Sequence, residues 1–158
     1  MIKHRIFKDS DAEEVANVVK ETMLTTNIKD YSKEYLDNDL KRLTAQDFIE
    51  RAKYLHCYVF IDNSINKIIA VGSIGAYWDK NYESSLFNIF VSPKYQGQGI
   101  GKQLIQVLEQ DEYFTRAKRI EIPASITGLG FYQKMGYSFK NGNSILDDEQ
   151  LYRLEKFN

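Results

Sequence analysis

The stretch "VSPKYQGQGIGKQLI", Val91 to Ile105, sets Pro93 and three alternating glycines, Gly97, Gly99 and Gly101, between two regular patterns. Before it runs the apolar "LFNIFV" (Leu86 to Val91). After it, Ile100, Leu104, Ile105 and Leu108 recur at helical spacing. Glycine has the most backbone freedom to lose on folding, so this junction demands a reason. A helix start offers one: its first N–H groups lack internal partners and carry partial positive charge. Glycines let that backbone approach a phosphate with no Cβ in the way. The junction therefore reads as a phosphate cradle, or as a tight turn.

Spacing separates the cradles. A nucleoside-triphosphate loop needs Gly-x-x-x-x-Gly-Lys-Ser/Thr. Gly101-Lys102 supplies its end, but Gln96 stands at the first glycine and Gln103 at the hydroxyl. A dinucleotide fingerprint needs Gly-x-Gly-x-x-Gly. Gly97 and Gly99 match it, while Lys102 occupies the third place and the loop comes late in the chain.

What remains is Gln96-x-x-Gly99-x-Gly101, preceded by "VSP" and followed by an amphipathic helix. This resembles the acyl-CoA pyrophosphate loop of the GNAT superfamily of N-acyltransferases, Arg/Gln-x-x-Gly-x-Gly/Ala. The likeness runs on through "GFYQKMGY" (Gly130 to Tyr137) and the closing "LYRLEKF". The N-terminal half matches in organisation alone. The resemblance implies an α/β (α+β) fold, a mixed central sheet of six to seven strands flanked by about four helices, in one domain over 1–158. It implies acetyl-CoA as cosubstrate and a primary amine as acceptor, joined by direct attack in a ternary complex.

The same resemblance assigns the site. Backbone around Gln96, Gly97, Gln98, Gly99, Ile100, Gly101 and Lys102 would hold the pyrophosphate. Pantetheine would lie along Ile89, Phe90 and Val91 like an added strand. An N–H of Phe90 or Val91 would polarise the thioester carbonyl. Ser125, Gly128, Phe131 and Tyr132 complete the cofactor set. Many members carry Asn where Ser125 stands, so Ser125 either makes a shorter contact or caps the next helix. Tyr132 is the candidate acid. Gly128, one turn earlier on the same face, clears space for it, while Phe131 and Met135 are expected to face the core.

No base is legible. Some members place Glu six residues before the valine equivalent to Val91; here Ser85 stands there. Ser85 is carried as a catalytic candidate at the end of a water chain, and Glu83 reads as a surface carboxylate. That departure keeps an acyl-CoA-binding or sensor module as the alternative to an enzyme, and a structural protein with an empty loop as a third reading.

The rest of the chain reads as strand Ile2–Phe7, a helix opened by a Ser10/Glu13 capping box, a short helix near "SKEYLDNDLKRL", and a helix opened by Thr44/Asp47. Strands "YLHCYVFID", "KIIAVGSIGAYW" and "YESSLFNIFV" follow. A helix "GKQLIQVLEQDEYF", strand "RIEIPA", a helix ending at Gly136 and two late strands complete the order.

Composition bounds the partners. A net charge of −1 predicts no nucleic-acid footprint. No apolar run suits a membrane span, and the N-terminus lacks the apolar segment of a secretory signal. The single cysteine, Cys57, forbids an internal disulfide and points to the cytoplasm. It shares a strand face with Leu55, Val59 and Ile61, as a buried thiol would. His56 lies on the other face with no acidic partner at a telling spacing. With two scattered histidines, His4 and His56, no metal site is expected. Acceptor specificity is expected in Thr25–Asp39, where Asp30, Glu34, Asp37 and Asp39 alternate with lysines, and near Tyr77 and Trp78. A homodimer through an exposed sheet edge is compatible with the pattern.

Overall fold

The computed structural model describes residues 1–158. Seven strands form one sheet in the order β1-β2-β3-β4-β5-β7-β6. Strand β1 is Ile2–Ile6, β2 His56–Asp62, β3 Lys67–Ala76, β4 Glu83–Val91, β5 Arg119–Ala124, β6 Ser138–Phe139 and β7 Tyr152–Phe157. Helices α1 (Ala12–Thr25), α2 (Lys33–Leu40) and α3 (Ala45–Arg51) cover one face. Helices α4 (Ile100–Leu108), α5 (Glu112–Thr115) and α6 (Leu129–Lys134) cover the other. This is the expected mixed α/β layout. None of its helices is long and apolar enough to cross a membrane.

Strand β3 is buried from Ile68 to Gly75, as a strand covered on both faces must be. Its alternate residues feed two cores. Val71 joins Val15, Val19 and Phe48 on the α1–α3 side. Ala70 and Ile74 join Leu104, Leu108 and Ile120 on the other. The stripe Ile100, Leu104, Ile105 and Leu108 is fully buried and holds α4 on the sheet. Burying each such side chain contributes about 1.5–3 kcal/mol.

Every sheet pairing is antiparallel except that of β4 with β5. That parallel pairing covers only Glu83–Ser85 against Arg119–Glu121. Beyond Ser85 the two strands part. Asn88 sits at φ +52°, and the register against β3 slips between Val71 and Ser73. A bulge of this kind bends its strand and strengthens the local twist. A wedge therefore opens along Leu86–Val91, one edge of β4 with no strand beside it.

Three local expectations are corrected. The start of α1 is not organised by Ser10 and Glu13. Asp11 accepts from the Lys8 N–H at 2.8 Å and pairs with Arg5 at 2.7 Å, so a carboxylate that also meets strand β1 outcompetes the exposed serine. The Thr44/Asp47 box is present as expected. The helix after the glycines stops at Leu108. Asp111 then caps a separate α5 by accepting from the Tyr113 N–H. Asp111 also binds the His56 ring at 2.8 Å and the Tyr58 hydroxyl at 2.6 Å, so His56 does have an acidic partner, 55 residues away in sequence.

The approach of α4 to β3 depends on Gly72. A Cβ there would stand 3.1 Å from Leu104 Cδ1 and 3.2 Å from Leu108 Cδ1, both fully buried, so these side chains would have to shift. Gly72→Val is expected to destabilise the protein by about 1–3 kcal/mol through overpacking. Urea denaturation measures it; an unchanged midpoint would contradict this packing.

Candidate functional site

The wedge opens into a cleft of about 800 Å³, bordered by β4, the glycine turn, α1–α3 and the β5–α6 junction. At one end, Gly97 and Gly99 take φ +77° and +82°, which glycine adopts without strain. The first bond of α4 runs from Gln103 N–H to Gly99 carbonyl. The N–H groups of Gln98, Gly99, Ile100, Gly101 and Lys102 donate to no backbone carbonyl. No Cβ would meet resistance at Gly97 or Gly99, so open space lies over the loop. Consecutive unpartnered N–H groups at a helix start form an anion-binding concavity. Those groups suit a pyrophosphate.

Gln96 braces this loop. Its Nε2 donates to the Val91 carbonyl at 3.0 Å and to the Thr26 hydroxyl at 3.2 Å. The Thr22 hydroxyl, which donates to the Val18 carbonyl at 2.8 Å, lies 3.3 Å from the same Val91 carbonyl. The end of β4, the turn and α1 are thereby tied together. Gly101 admits Phe131: a Cβ there would come within 3.2 Å of Phe131 Cζ. Phe131 and Met135 both pack at the core's edge, as expected, and Phe131 also borders the cleft against α4.

Tyr132 is buried and borders the cleft. A Cβ on Gly128 would lie 2.9 Å from Tyr132 Cε2, so the glycine does clear space for that ring. It does so from the cap of α6 rather than from inside a helix. The hydroxyls of Tyr31, Tyr58 and Tyr137 all donate to protein acceptors. Burial pushes the Tyr132 phenol well above its ordinary range, so it stays protonated through neutral and moderately alkaline pH.

The residues expected from sequence are mostly brought together. Ile89, Phe90, Val91, Gln96, Gly97, Gly99, Ile100, Gly101, Lys102, Ser125, Gly128, Phe131 and Tyr132 all border the cleft. Gln98 contributes no side chain to it, donating instead to the Lys94 carbonyl at 3.3 Å. Ser125 accepts from the Gly128 N–H at 3.0 Å, the capping role. Ser85 does not reach the cleft. It is buried, and its one hydroxyl proton is within reach of the Glu121 carbonyl at 3.1 Å and the Leu86 carbonyl at 3.2 Å. Glu83 is not a solvated carboxylate but binds Arg119 at 2.9 Å. Trp78 is 81% exposed, and neither it nor Tyr77 borders the cleft. Cys57 is buried as expected, and burial pushes its thiol up to about 11.

The end of the cleft away from the glycine turn is less legible in sequence. Of the acidic residues in Thr25–Asp39, Asp39 alone borders the cleft, paired with Arg42 at 2.9 Å; Asp37 pairs outward with Lys33. Arg42 and Arg51 also border it, as does Tyr31. Tyr31 donates to the Gln150 carbonyl at 2.7 Å and accepts from the Ile126 N–H at 2.8 Å. Tyr35 donates to the Glu149 carbonyl. Two tyrosines thus tie the segment before β7 across this end. No spacing rule pairs residues more than 90 positions apart.

A family model described as "Acetyltransferase (GNAT) domain" matches residues 53–139, and the chain belongs to that family. The PaiA N-acetyltransferase of Thermoplasma acidophilum, solved with coenzyme A, superposes with a TM-score of 0.83 at 19% identity, covering 100% of this chain and 99% of that one. A GNAT acetyltransferase of Streptococcus pneumoniae gives 0.71 at 21% identity over 99% of both chains. One from Brucella melitensis, solved with acetyl-CoA, gives 0.62 at 18% identity over 87% and 83%. The curated GCN5-related N-acetyltransferase 2 of Arabidopsis thaliana, a chloroplastic protein, is 30% identical over 67 residues, 42% of this chain. The match spans 26% of that relative's length.

Tyr31→Phe removes the acceptor of the Ile126 N–H. Amide exchange at Ile126 is expected to quicken about fivefold, matching a loss of about 1 kcal/mol. Unchanged exchange would show that the tie carries no load.

Proposed function

We propose that the protein is an acetyl-CoA-dependent N-acetyltransferase that acts on a primary amine by direct attack in a ternary complex. The observation that carries the reading is a single cleft that joins a pyrophosphate-shaped backbone cradle to the buried phenol of Tyr132. Bound acetyl-CoA would supply the thioester carbonyl carbon that the amine attacks. The chain would act as one domain, and the cytoplasm suits a protein whose lone cysteine is a buried thiol.

The protein's tasks follow from that chemistry. The amide groups of Gln98 to Lys102 hold the pyrophosphate. The unpaired edge of β4 aligns the pantetheine, and an N–H at Phe90 or Val91 faces the thioester oxygen. As the C–N bond forms and the C–S bond breaks, charge collects on sulfur. A phenol raised above its ordinary value gives little by handing its proton outright to a thiolate of pKa about 8.5. Tyr132 instead stabilises the departing sulfur by a hydrogen bond, and the sulfur is protonated from solvent.

The amine must arrive neutral. An alkyl amine of pKa about 10.4 is neutral in only about one molecule in two thousand at pH 7. Ser85 is committed to backbone carbonyls, and the one carboxylate on the cleft, Asp39, is held by Arg42. The proton therefore leaves to water. The same observation supports the second reading, a sensor that binds acyl-CoA without turnover.

Thiol release from acetyl-CoA over a panel of amines tests the enzyme. Turnover with at least one amine is expected, and cofactor binding with none would favour the sensor. Tyr132→Phe is expected to lower kcat by about 100-fold with little change in the KM for acetyl-CoA; equal kcat would remove Tyr132 from the mechanism. With an alkyl amine of pKa about 10.4, kcat/KM for the acceptor is expected to rise about tenfold per pH unit from 6 to 9, tracking the neutral amine, whereas with a peptide α-amine the rise should level off near pH 8. It should not fall toward pH 10, because burial keeps Tyr132 protonated. A plateau near pH 7 would instead reveal a base on the protein.

A further inference from the structure

Three charged side chains border the acceptor end of the cleft: Asp39, Arg42 and Arg51. Asp39 and Arg42 neutralise each other at 2.9 Å. Arg51 pairs with no carboxylate. Its Nη2 donates to the Arg42 carbonyl at 2.6 Å, and its guanidinium carbon lies 5.8 Å from the Phe48 ring centre. Its Nη1 is buried and has no hydrogen-bond partner at all. A buried donor without an acceptor is costly and uncommon, and a charged one more so. The one other buried side-chain polar atom without a partner is Thr127 Oγ1, and Thr127 borders the same cleft. Both buried side-chain polar atoms without a partner thus belong to residues on the wall of one cavity.

We propose that Arg51 receives a carboxylate carried by the acceptor, so that the amine acetylated belongs to an amino acid or to a peptide with an acidic group. This rests on reading the cleft as the site of the ternary complex. A guanidinium matches a carboxylate in shape and charge, and the pairing is bidentate where both N–H groups reach. Turning Nη1 toward the cleft costs it no hydrogen bond of its own, and puts at risk only the Nη2 bond to Arg42 and the contact with Phe48. A polyamine is the poorer fit. It needs uncompensated carboxylates, and Asp39, the one carboxylate here, is already neutralised. Beyond the glycine turn, the cleft carries one unbalanced positive charge, that of Arg51.

The full chain, saturated with coenzyme A, is titrated calorimetrically with product mimics. These are N-acetylglycine, N-acetylleucine and N-acetylglutamate, each beside its fully amidated counterpart. In at least one pair the acid is expected to bind about 10- to 100-fold tighter than the amide, the worth of a charged hydrogen bond. In Arg51→Gln that gap should collapse, with coenzyme A affinity unchanged; Arg51→Lys should retain part of it. Acid and amide binding alike in every pair, or a preference that survives in Arg51→Gln, would overturn the inference while leaving the acetyltransferase reading in place. A wild-type protein that fails to bind coenzyme A would overturn both, and the first titration reveals it.

Discussion

The structure depends on where β4 and β5 cease to pair. Their parallel contact is three residues long, Glu83–Ser85 against Arg119–Glu121. Every later residue of β4 faces open space on that side. So short a contact specifies its register weakly by backbone alone. Arg119 reinforces it. It lies opposite Glu83 in register and binds Glu83 at 2.9 Å, Glu155 at 2.8 Å, and Glu121. Lys140 binds Glu121 from the far side at 2.9 Å. Taking these charges out of water offsets much of their attraction, so the cluster is better understood as fixing register than as adding stability. A slipped register would leave Arg119 or a carboxylate buried and unpaired.

From that apex the site follows by geometry. The wedge exposes one edge of β4. The Asn88 bulge and the Gln96 brace aim the end of β4 into the turn, and α4 starts there with its N–H groups outward. Phe131 packs on Gly101 and the Tyr132 ring on Gly128, which brings α6 against the same opening. The glycines serve two purposes. Gly97 and Gly99 supply positive φ, whereas Gly101 and Gly128 supply room.

The strands, the main helices and the glycine-turn side of the cleft were legible because their signals are local. Alternation, helical spacing and a six-residue loop pattern lie within reach of one another in sequence. What stayed hidden depends on partners far apart in the chain. Nothing near Glu83 announces Arg119, nothing near His56 announces Asp111, and Ser85 looked available until the Glu121 carbonyl claimed its hydroxyl. Ser10 matched a capping pattern and lost to Asp11, which gains a second partner in Arg5. Arg51 resembles any arginine at the end of a surface helix. Only the fold shows that one of its nitrogens is buried without a partner. The acceptor end is built from such long-range meetings, which is why the cofactor is far easier to read than the amine.

In the proposed reaction the backbone from Gln98 to Lys102 holds the pyrophosphate of acetyl-CoA. That role is tested most directly by calorimetric titration of acetyl-CoA into Gly99→Gln and Gly99→Glu. Both variants place a side chain of the same size into open space at the same positive φ, so they share any backbone strain and differ in charge alone. A carboxylate beside the pyrophosphate should weaken binding at least about tenfold beyond the Gln variant. Equal affinities for the two would place the pyrophosphate elsewhere and contradict the account.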